Sequence, residues 1–162
     1  MEINKYKLML VKEQKFKYNQ KAYTTLDVVN FVEKVLNINK EPQEVVYILM
    51  LDTKNQIIGF SEISRGGLNM CNTSIGVIFR NILLSNCNKF ILIHNHPSGE
   101  PTASKKDIEV TKKILKCTEI LGIEFLDHII IGDERYMSCM KEAKDKNSKD
   151  KREVSLWLLM II

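Results

Sequence analysis

Residues 91–107, ILIHNHPSGEPTASKKD, join an apolar segment to a charged one and decide how the rest of the chain is interpreted. The apolar run at the start is typical of a short buried strand, and a turn rich in proline and glycine follows it. His94 and His96 stand two residues apart where the strand ends. Because side chains alternate between the faces of a strand, both imidazoles are expected to project from the same face and can chelate one divalent ion.

Asp107 follows eleven residues after His96 and has two interpretations. Ser104 and Asp107 precede an apolar-periodic run, 108–121, and their spacing is close to that of a helix capping box. The same carboxylate, placed beside two imidazoles, would be a third metal ligand. Three protein ligands leave a fourth tetrahedral position open, which is the pattern of catalytic rather than structural zinc. Spacing alone leaves both interpretations open.

Apolar periodicity predicts alternating helices and strands around this segment. Helices are predicted over 24–36, 73–86 and 104–121, with threonine or serine as candidate caps. Strands are predicted over 6–11, 15–18, 44–52, 56–64, 89–94, 123–132 and 135–140. The alternation, with hairpins at 52–55 and 132–133, indicates an α/β or α+β layered domain with a mixed sheet.

Composition fits one globular domain and excludes several classes of protein. The chain has 162 residues, of which 44% are hydrophobic, so it can bury a substantial core. Its formal charge is +4, and residues 141–153 carry six Lys or Arg against four Asp or Glu. The remainder is nearly neutral, so charge alone predicts no nucleic-acid groove.

The cysteines and the first residues indicate a cytoplasmic protein. The four cysteines form no CxxC pair, and the start, MEINKYKLML, has charges where a signal peptide needs apolar residues. We therefore expect reduced, mostly buried thiols. No run approaches the roughly 20 apolar residues that span a membrane.

A hydrolytic metal site also needs a base, and Glu62 is the candidate. It lies within an otherwise apolar predicted strand, IIGFSEIS, where an unpaired buried carboxylate would be costly. Either Glu62 faces the metal site and accepts a proton from water, or it faces solvent on an edge strand.

The segment 94–107, HNHPSGEPTASKKD, resembles the His-x-His-Pro, six residues, Ser-x-x-Asp signature of the JAB/MPN (JAMM) metalloproteins. The longer pattern resembles the RadC branch of that family over roughly residues 22–143. The other blocks that resemble it, in its order, are EISRGGLN, DIEVTKKI, LGIEFLDHIIIGD and RYMS. Two features depart from the branch: the chain has only about 20 residues where a helix-hairpin-helix region is often found, and its second predicted helix lacks the usual Pro-Arg-Glu start.

The resemblance implies a fold and a set of roles. The fold is a cytidine-deaminase-like three-layer α-β-α domain with a curved mixed sheet. His94, His96 and Asp107 would bind one zinc ion, although Fe²⁺ or Mn²⁺ also suits two imidazoles and a carboxylate. Glu62 would be the general acid/base, and Ser104 would donate a hydrogen bond to an oxyanion, a role that competes with helix capping.

These roles imply a zinc-dependent hydrolase that cleaves a peptide or isopeptide bond in a protein or peptide substrate. One alternative is a DNA-associated protein of RadC type, in repair or mobile-element biology, with direct nucleic-acid binding open. Another is an MPN binding module that has lost catalysis. Substrate specificity is expected to come from the loops 65–75 and 97–103, and His128 is expected in the core or behind the metal ligands.

Three regions are predicted along the chain. Residues 1–21 form an N-terminal extension with short strands, 22–143 the RadC-like JAB/MPN domain, and 144–162 a charged linker with an apolar tail. The tail, VSLWLLMII, is too short to span a bilayer. We expect it to pack on the domain or on a partner.

Overall fold

The computed structural model describes residues 3–18, 20–66 and 74–140, and within these ranges the chain forms one mixed five-stranded sheet. The strands are β1 Val45–Leu51, β2 Ile57–Arg65, β3 Lys89–Asn95, β4 Glu124–Ile131 and β5 Tyr136–Ser138. They lie in the order β2-β1-β3-β4-β5. β3 and β4 are parallel, and the other neighbouring strands are antiparallel; β1–β2 and β4–β5 are the two predicted hairpins.

Each predicted helix begins at a side-chain cap. The helices are α1 Thr25–Phe31, which continues as a π-helical turn over Val32–Leu36, α2 Ile75–Ser85 and α3 Lys105–Leu121. A short 3₁₀ turn, Ile38–Lys40, leads into β1. Thr24, Ser74 and Ser104 accept hydrogen bonds from backbone N–H groups in the first turns. α3 ends at Gly122, whose φ of 65° is a left-handed conformation that glycine adopts readily.

The helices cover both faces of the sheet, which confirms the predicted α-β-α arrangement. β1 and β3 are almost continuously apolar because both of their faces are buried. One face packs against α2 and α3; its buried residues include Ile48, Met50, Phe90, Leu92, Ile78, Ile82, Val110 and Ile114. The opposite face packs against α1; its buried residues include Leu49, Leu51, Ile91, Ile93, Val28 and Phe31. The alternation along β3 directs His94 toward the α3 side.

The N-terminal extension differs from its prediction. The strands predicted at 6–11 and 15–18 are wrong: residues 3–18 contain no helix or strand. Leu8 and Val11 are 75% and 84% exposed, so their apolar side chains have no sheet face to cover. Phe16 and Tyr18 contact the domain, with ring centroids 5.2 Å from Phe60 and 5.0 Å from Phe31.

The turn between β4 and β5 holds the loop that follows β3. The backbone N–H of Asp133 donates to the Gly99 carbonyl at 2.9 Å, and the Gly99 N–H donates to the His96 carbonyl at 2.9 Å. Arg135 and Glu100 form an ion pair at 3.0 Å across the same contact. Two loops distant in sequence therefore fix the path of the chain after His96.

Candidate metal centre

The end of β3 places both imidazoles on one side of the chain, as predicted. The extended path continues past the strand, since the His96 N–H donates to the Ile131 carbonyl at 2.8 Å. His94 is fully buried, and the side chain of His96 is 17% exposed. Their Nε2 atoms lie 3.0 Å apart. An ion bound at both nitrogens would therefore have one buried and one partly open ligand.

The first turn of α3 brings Asp107 to the same point. Its Oδ1 lies 3.5 Å from His94 Nε2, and its Oδ2 lies 3.7 Å from His96 Nε2. Asp107 also completes the capping box: its N–H donates to Ser104 Oγ at 3.2 Å, and its Oδ2 accepts from the Ser104 N–H at 2.7 Å. The capping interpretation of the Ser104–Asp107 spacing is confirmed, and the cap also orients the carboxylate toward the imidazoles, where it could bind a metal ion.

The three side chains can hold a metal ion. Their ligand atoms all lie within 4.8 Å of one another. Nitrogen and oxygen ligands of tetrahedral zinc stand about 3.3 Å apart, given bonds of about 2.0–2.1 Å, so these separations fit such an ion with small adjustments. The Nδ1 atom of His96 lies 2.8 Å from the Glu100 carbonyl, which leaves Nε2 as the ligating nitrogen.

The protonation states of His94 and Asp107 suit ligation, whereas the hydrogen bond to Asp107 raises the pKa of His96, so an ion that binds there would displace a proton. Burial lowers the pKa of His94 well below its usual value, and the neighbouring His128 adds to this effect. Burial acts to raise the pKa of Asp107, but hydrogen bonds from His96 and Ser104 and the proximity of His94 outweigh it and hold that pKa well below its usual range. A neutral buried imidazole and an ionised carboxylate are the forms that bind metal ions.

A second layer of buried polar groups lies behind His94. His94 Nδ1 is 2.9 Å from His128 Nε2, and His128 Nδ1 is 2.7 Å from Thr111 Oγ1. Thr111 Oγ1 in turn donates to the Asp107 carbonyl at 2.7 Å. His128 and Thr111 are both fully buried. His128 thus lies in the core, directly behind a candidate ligand, as the sequence predicted.

An open cleft of about 630 Å³ reaches the partly open side of this group. Its lining includes Ser104, Asp107 and His96. Pro97 and Ser98, from the loop predicted to determine specificity, also line it. Ser104 Oγ accepts the Asp107 N–H in the helix cap, and a hydrogen bond from the Ser104 hydroxyl helps to lower the pKa of the Asp107 carboxyl.

Glu44 is an acidic residue of the cleft that the sequence did not single out. It is only 9% exposed, and it lines the cleft together with His96 and Asp107. Burial raises its pKa, the charge of Asp107 raises it further, and His96 opposes the shift. The Gly66 N–H holds the Glu44 carbonyl at 2.9 Å. The sequence does show an acidic residue directly before a buried strand, QEVVYILML. Its place in the cleft could not be predicted, because it depends on the pairing of β1 with β3.

The structure places Glu62 elsewhere. Its carboxylate accepts from the Tyr47 hydroxyl at 2.8 Å and pairs with Arg65 at 2.8 Å on the surface of β2. Its side chain is 36% exposed, and it is not among the described residues that line the cleft. The hydrogen bond from Arg65 lowers the pKa of Glu62, since it favours the charged form. The candidate base is thus separated from the three candidate ligands.

Several predicted features lie outside the described residues. These are Cys71, Thr73, the middle of the loop 65–75, most of the RGGLN block, the charged linker and the apolar tail of 154–162. Within the described ranges, no helix has the length and apolar character needed to cross a membrane.

The amino-acid sequence is similar to a known protein family over the region that contains the candidate metal centre. The description "RadC-like JAB domain" belongs to a family profile that matches residues 23–145. A UPF0758 protein of Carboxydothermus hydrogenoformans is 44% identical over 116 residues, which cover 72% of this chain and 50% of the relative. A UPF0758 protein of Clostridium perfringens is 39% identical over 127 residues, covering 77% of this chain and 56% of the relative.

A third relative, a UPF0758 protein of Desulfitobacterium hafniense, is 44% identical over 113 residues, covering 69% of this chain and 48% of the relative. The chain thus spans about half the length of the curated relatives that it matches. The family match includes the described strand, loop and helix that bring His94, His96 and Asp107 together. The chain therefore belongs to the family of RadC-like JAB domains.

Proposed function

We propose that this protein is a zinc-dependent hydrolase of JAMM type that cleaves a peptide or isopeptide bond, with Glu44 rather than Glu62 as its general acid/base. The observation that carries the proposal is the convergence of His94, His96 and Asp107 beside a buried carboxylate in one cleft. Three ligands with an open side fit a catalytic rather than a structural zinc site.

The ligands and the ion have separate tasks. His94 and His96 would supply Nε2 and Asp107 a carboxylate oxygen, each oriented by a hydrogen bond to a second group. When bound, a zinc ion acts as a Lewis acid and makes water acidic enough to serve as a nucleophile near neutral pH.

Glu44 suits proton transfer because of its surroundings. A carboxylate whose pKa is raised by burial is a stronger base than one whose pKa is lowered by an arginine. In the proposed reaction, a Glu44 carboxylate oxygen accepts a proton from the attacking water and delivers it to the nitrogen of the leaving amine. Glu62 retains a structural role in its contacts with Tyr47 and Arg65.

Ser104 would stabilise the developing charge on the substrate carbonyl oxygen. Its Oγ lines the cleft, and its hydroxyl hydrogen, which bonds the Asp107 carboxylate in the cap, would turn to the substrate oxygen when that carboxylate binds an ion. The hydroxyl oxygen would continue to accept the Asp107 N–H of the cap while its hydrogen contacts the substrate. The intact ligand set with Glu44 favours this hydrolase over a binding module without catalysis.

The test compares Glu44→Gln with Glu62→Gln as a matched control. Both variants should bind one zinc ion per chain, measured by metal analysis after purification. We expect Glu44→Gln to lose about 10²–10⁴-fold in hydrolysis of a panel of fluorogenic peptides and lysine isopeptides, since general acid/base catalysis contributes that much. Glu62→Gln should retain most activity.

Three results would contradict the proposal. Full activity of Glu44→Gln would remove the proposed base, and loss in Glu62→Gln alone would return that role to the original candidate. A wild-type protein that binds zinc but cleaves no member of the panel would support the binding module instead.

A further inference from the structure

We propose that Thr111 and His128 are positioning residues that set the tautomer of His94, an inference that rests on the proposed role of His94 as a metal ligand. The geometry forms one line of polar groups: the Asp107 carbonyl, Thr111 Oγ1, the two nitrogens of His128, and His94 Nδ1. Since a carbonyl oxygen has no hydrogen to donate, the direction of each hydrogen bond along this line can be assigned.

The direction is fixed at Thr111. Its Oγ1 lies 2.7 Å from the Asp107 carbonyl oxygen, which can only accept, so the hydroxyl hydrogen points there. The same Oγ1 lies 2.7 Å from His128 Nδ1. Because the hydroxyl hydrogen is donated to the Asp107 carbonyl, Oγ1 accepts a hydrogen bond from His128 Nδ1. His128 Nδ1 therefore carries the ring hydrogen.

The assignment then passes to His94. A neutral His128 with its hydrogen on Nδ1 has a lone pair on Nε2. That atom lies 2.9 Å from His94 Nδ1, so His94 carries its hydrogen on Nδ1 and donates it. The Nε2 atom of His94 is left with a lone pair and faces His96 Nε2 and Asp107. This is the form that a metal ion needs.

Burial of the three side chains favours this set of tautomers. His94, His128 and Thr111 each have 0% relative exposure, so solvent does not compete for these hydrogen bonds. A reversed tautomer at His128 alone would set its Nε2–H against the Nδ1–H of His94, and reversal of both rings would leave His128 Nδ1 facing the lone pairs of Thr111 Oγ1. Neutral histidine in water favours the opposite tautomer, with the hydrogen on Nε2, so the buried line has to select the less common form.

His96 provides an internal comparison. Its Nδ1 atom is 2.8 Å from the Glu100 carbonyl, so a backbone group selects its tautomer directly. A change at Thr111 should therefore alter His94 and His128 and leave His96 as it was. The chain has three histidines in all, so each can be observed separately.

The test measures tautomers by NMR of ¹⁵N-histidine-labelled protein without metal, at a pH where the rings are neutral. We expect the hydrogen on Nδ1 in His94 and His128 of the wild type, and an Nδ1–H on His96 in every variant. In Thr111→Val, which keeps the side-chain shape and removes the hydroxyl, His128 and His94 should shift to Nε2–H while His96 is unchanged. Thr111→Ser, which keeps the hydroxyl, should retain the wild-type pattern.

Zinc affinity, measured by competition with a chelator, is the second readout. We expect Thr111→Val to bind zinc about 10–100-fold more weakly than Thr111→Ser, as is typical when the partner of a ligating histidine is lost. Equal affinities in the two variants would overturn the inference, and so would a wild-type His94 with its hydrogen on Nε2. The wild-type spectrum decides this without any variant that might fail to fold. It also decides it without metal, so a wild type that binds no zinc would contradict the proposed function alone.

Discussion

Gly132 shows how one missing side chain shapes the candidate site. A Cβ atom there would meet the Gly99 carbonyl oxygen and lie 2.9 Å from Pro101 Cδ, so the loop after β3 can approach only a glycine. This loop carries the Glu100 carbonyl that orients His96. The close approach of two backbone segments at Gly132 therefore affects the orientation of a candidate metal ligand through one hydrogen bond.

We predict that Gly132→Ala lowers zinc affinity because it displaces the loop that orients His96. Overpacking of this kind costs about 1–3 kcal/mol of folding free energy. Gly122→Ala is the control: its φ of 65° also strains an alanine, but nothing lies within 4 Å of the added Cβ. Both variants should melt at lower temperature. Unchanged zinc affinity in Gly132→Ala would show that the loop does not position His96.

β3 does more than carry the two histidines. Asn95, between them, is 1% exposed, and its side chain holds the segment before β1. Its Oδ1 accepts from the Val45 N–H at 2.8 Å, and its Nδ2 donates to the Gln43 carbonyl at 3.0 Å. These contacts stand on either side of Glu44. One strand therefore fixes the candidate ligands and the candidate base.

We predict that Asn95→Asp reduces hydrolysis more than it reduces zinc affinity. The change keeps the size of the side chain but removes the Nδ2 donor, so buried carbonyl groups would face a carboxylate and the segment carrying Glu44 would shift. Asn81→Asp, on α2, is the control because Asn81 also donates to a backbone carbonyl, that of Val77. Equal losses of activity and of metal in Asn95→Asp would contradict the positioning of Glu44.

The sequence predicts those parts of the candidate site whose residues lie close together in the chain. His94, His96 and Asp107 lie within fourteen consecutive residues, so strand alternation and a helix cap suffice to bring them together. Glu44 depends on β1 lying antiparallel to β3: Val46 pairs with His94, and the same register places Glu44 opposite His96. Periodicity shows that both strands exist but not that they are neighbours. For the same reason, the apolar residues of 3–18 suggested strands, although periodicity cannot show whether a sheet edge is available to pair with them.

The three layers hold the candidate site from both sides of the sheet. β3 lies in the middle of the sheet, with α3 on one face and α1 on the other. The candidate ligands therefore lie at a buried end of the central strand and in the helix beside it, while the cleft opens at their partly exposed side. A rigid frame of this kind favours a site that is formed before the ion arrives, so binding should stabilise the fold.

We predict that zinc raises the melting temperature of the wild type and that a chelator reverses the effect. An ion that binds only the folded state adds about 2.7 kcal/mol at a free concentration 100 times its dissociation constant. Asp107→Ala should lose this response, whereas Glu62→Gln should keep it. A zinc-induced shift of equal size in Asp107→Ala would mean that the ion binds elsewhere.

The most direct measurement is anomalous X-ray diffraction at the zinc edge from crystals of the zinc-loaded protein. The proposed site predicts one strong peak per chain, about 2.0–2.2 Å from His94 Nε2, His96 Nε2 and an Asp107 carboxylate oxygen, with its open side toward Glu44. A zinc peak bound by other residues, or no peak between these three side chains in a crystal soaked with zinc, would contradict it.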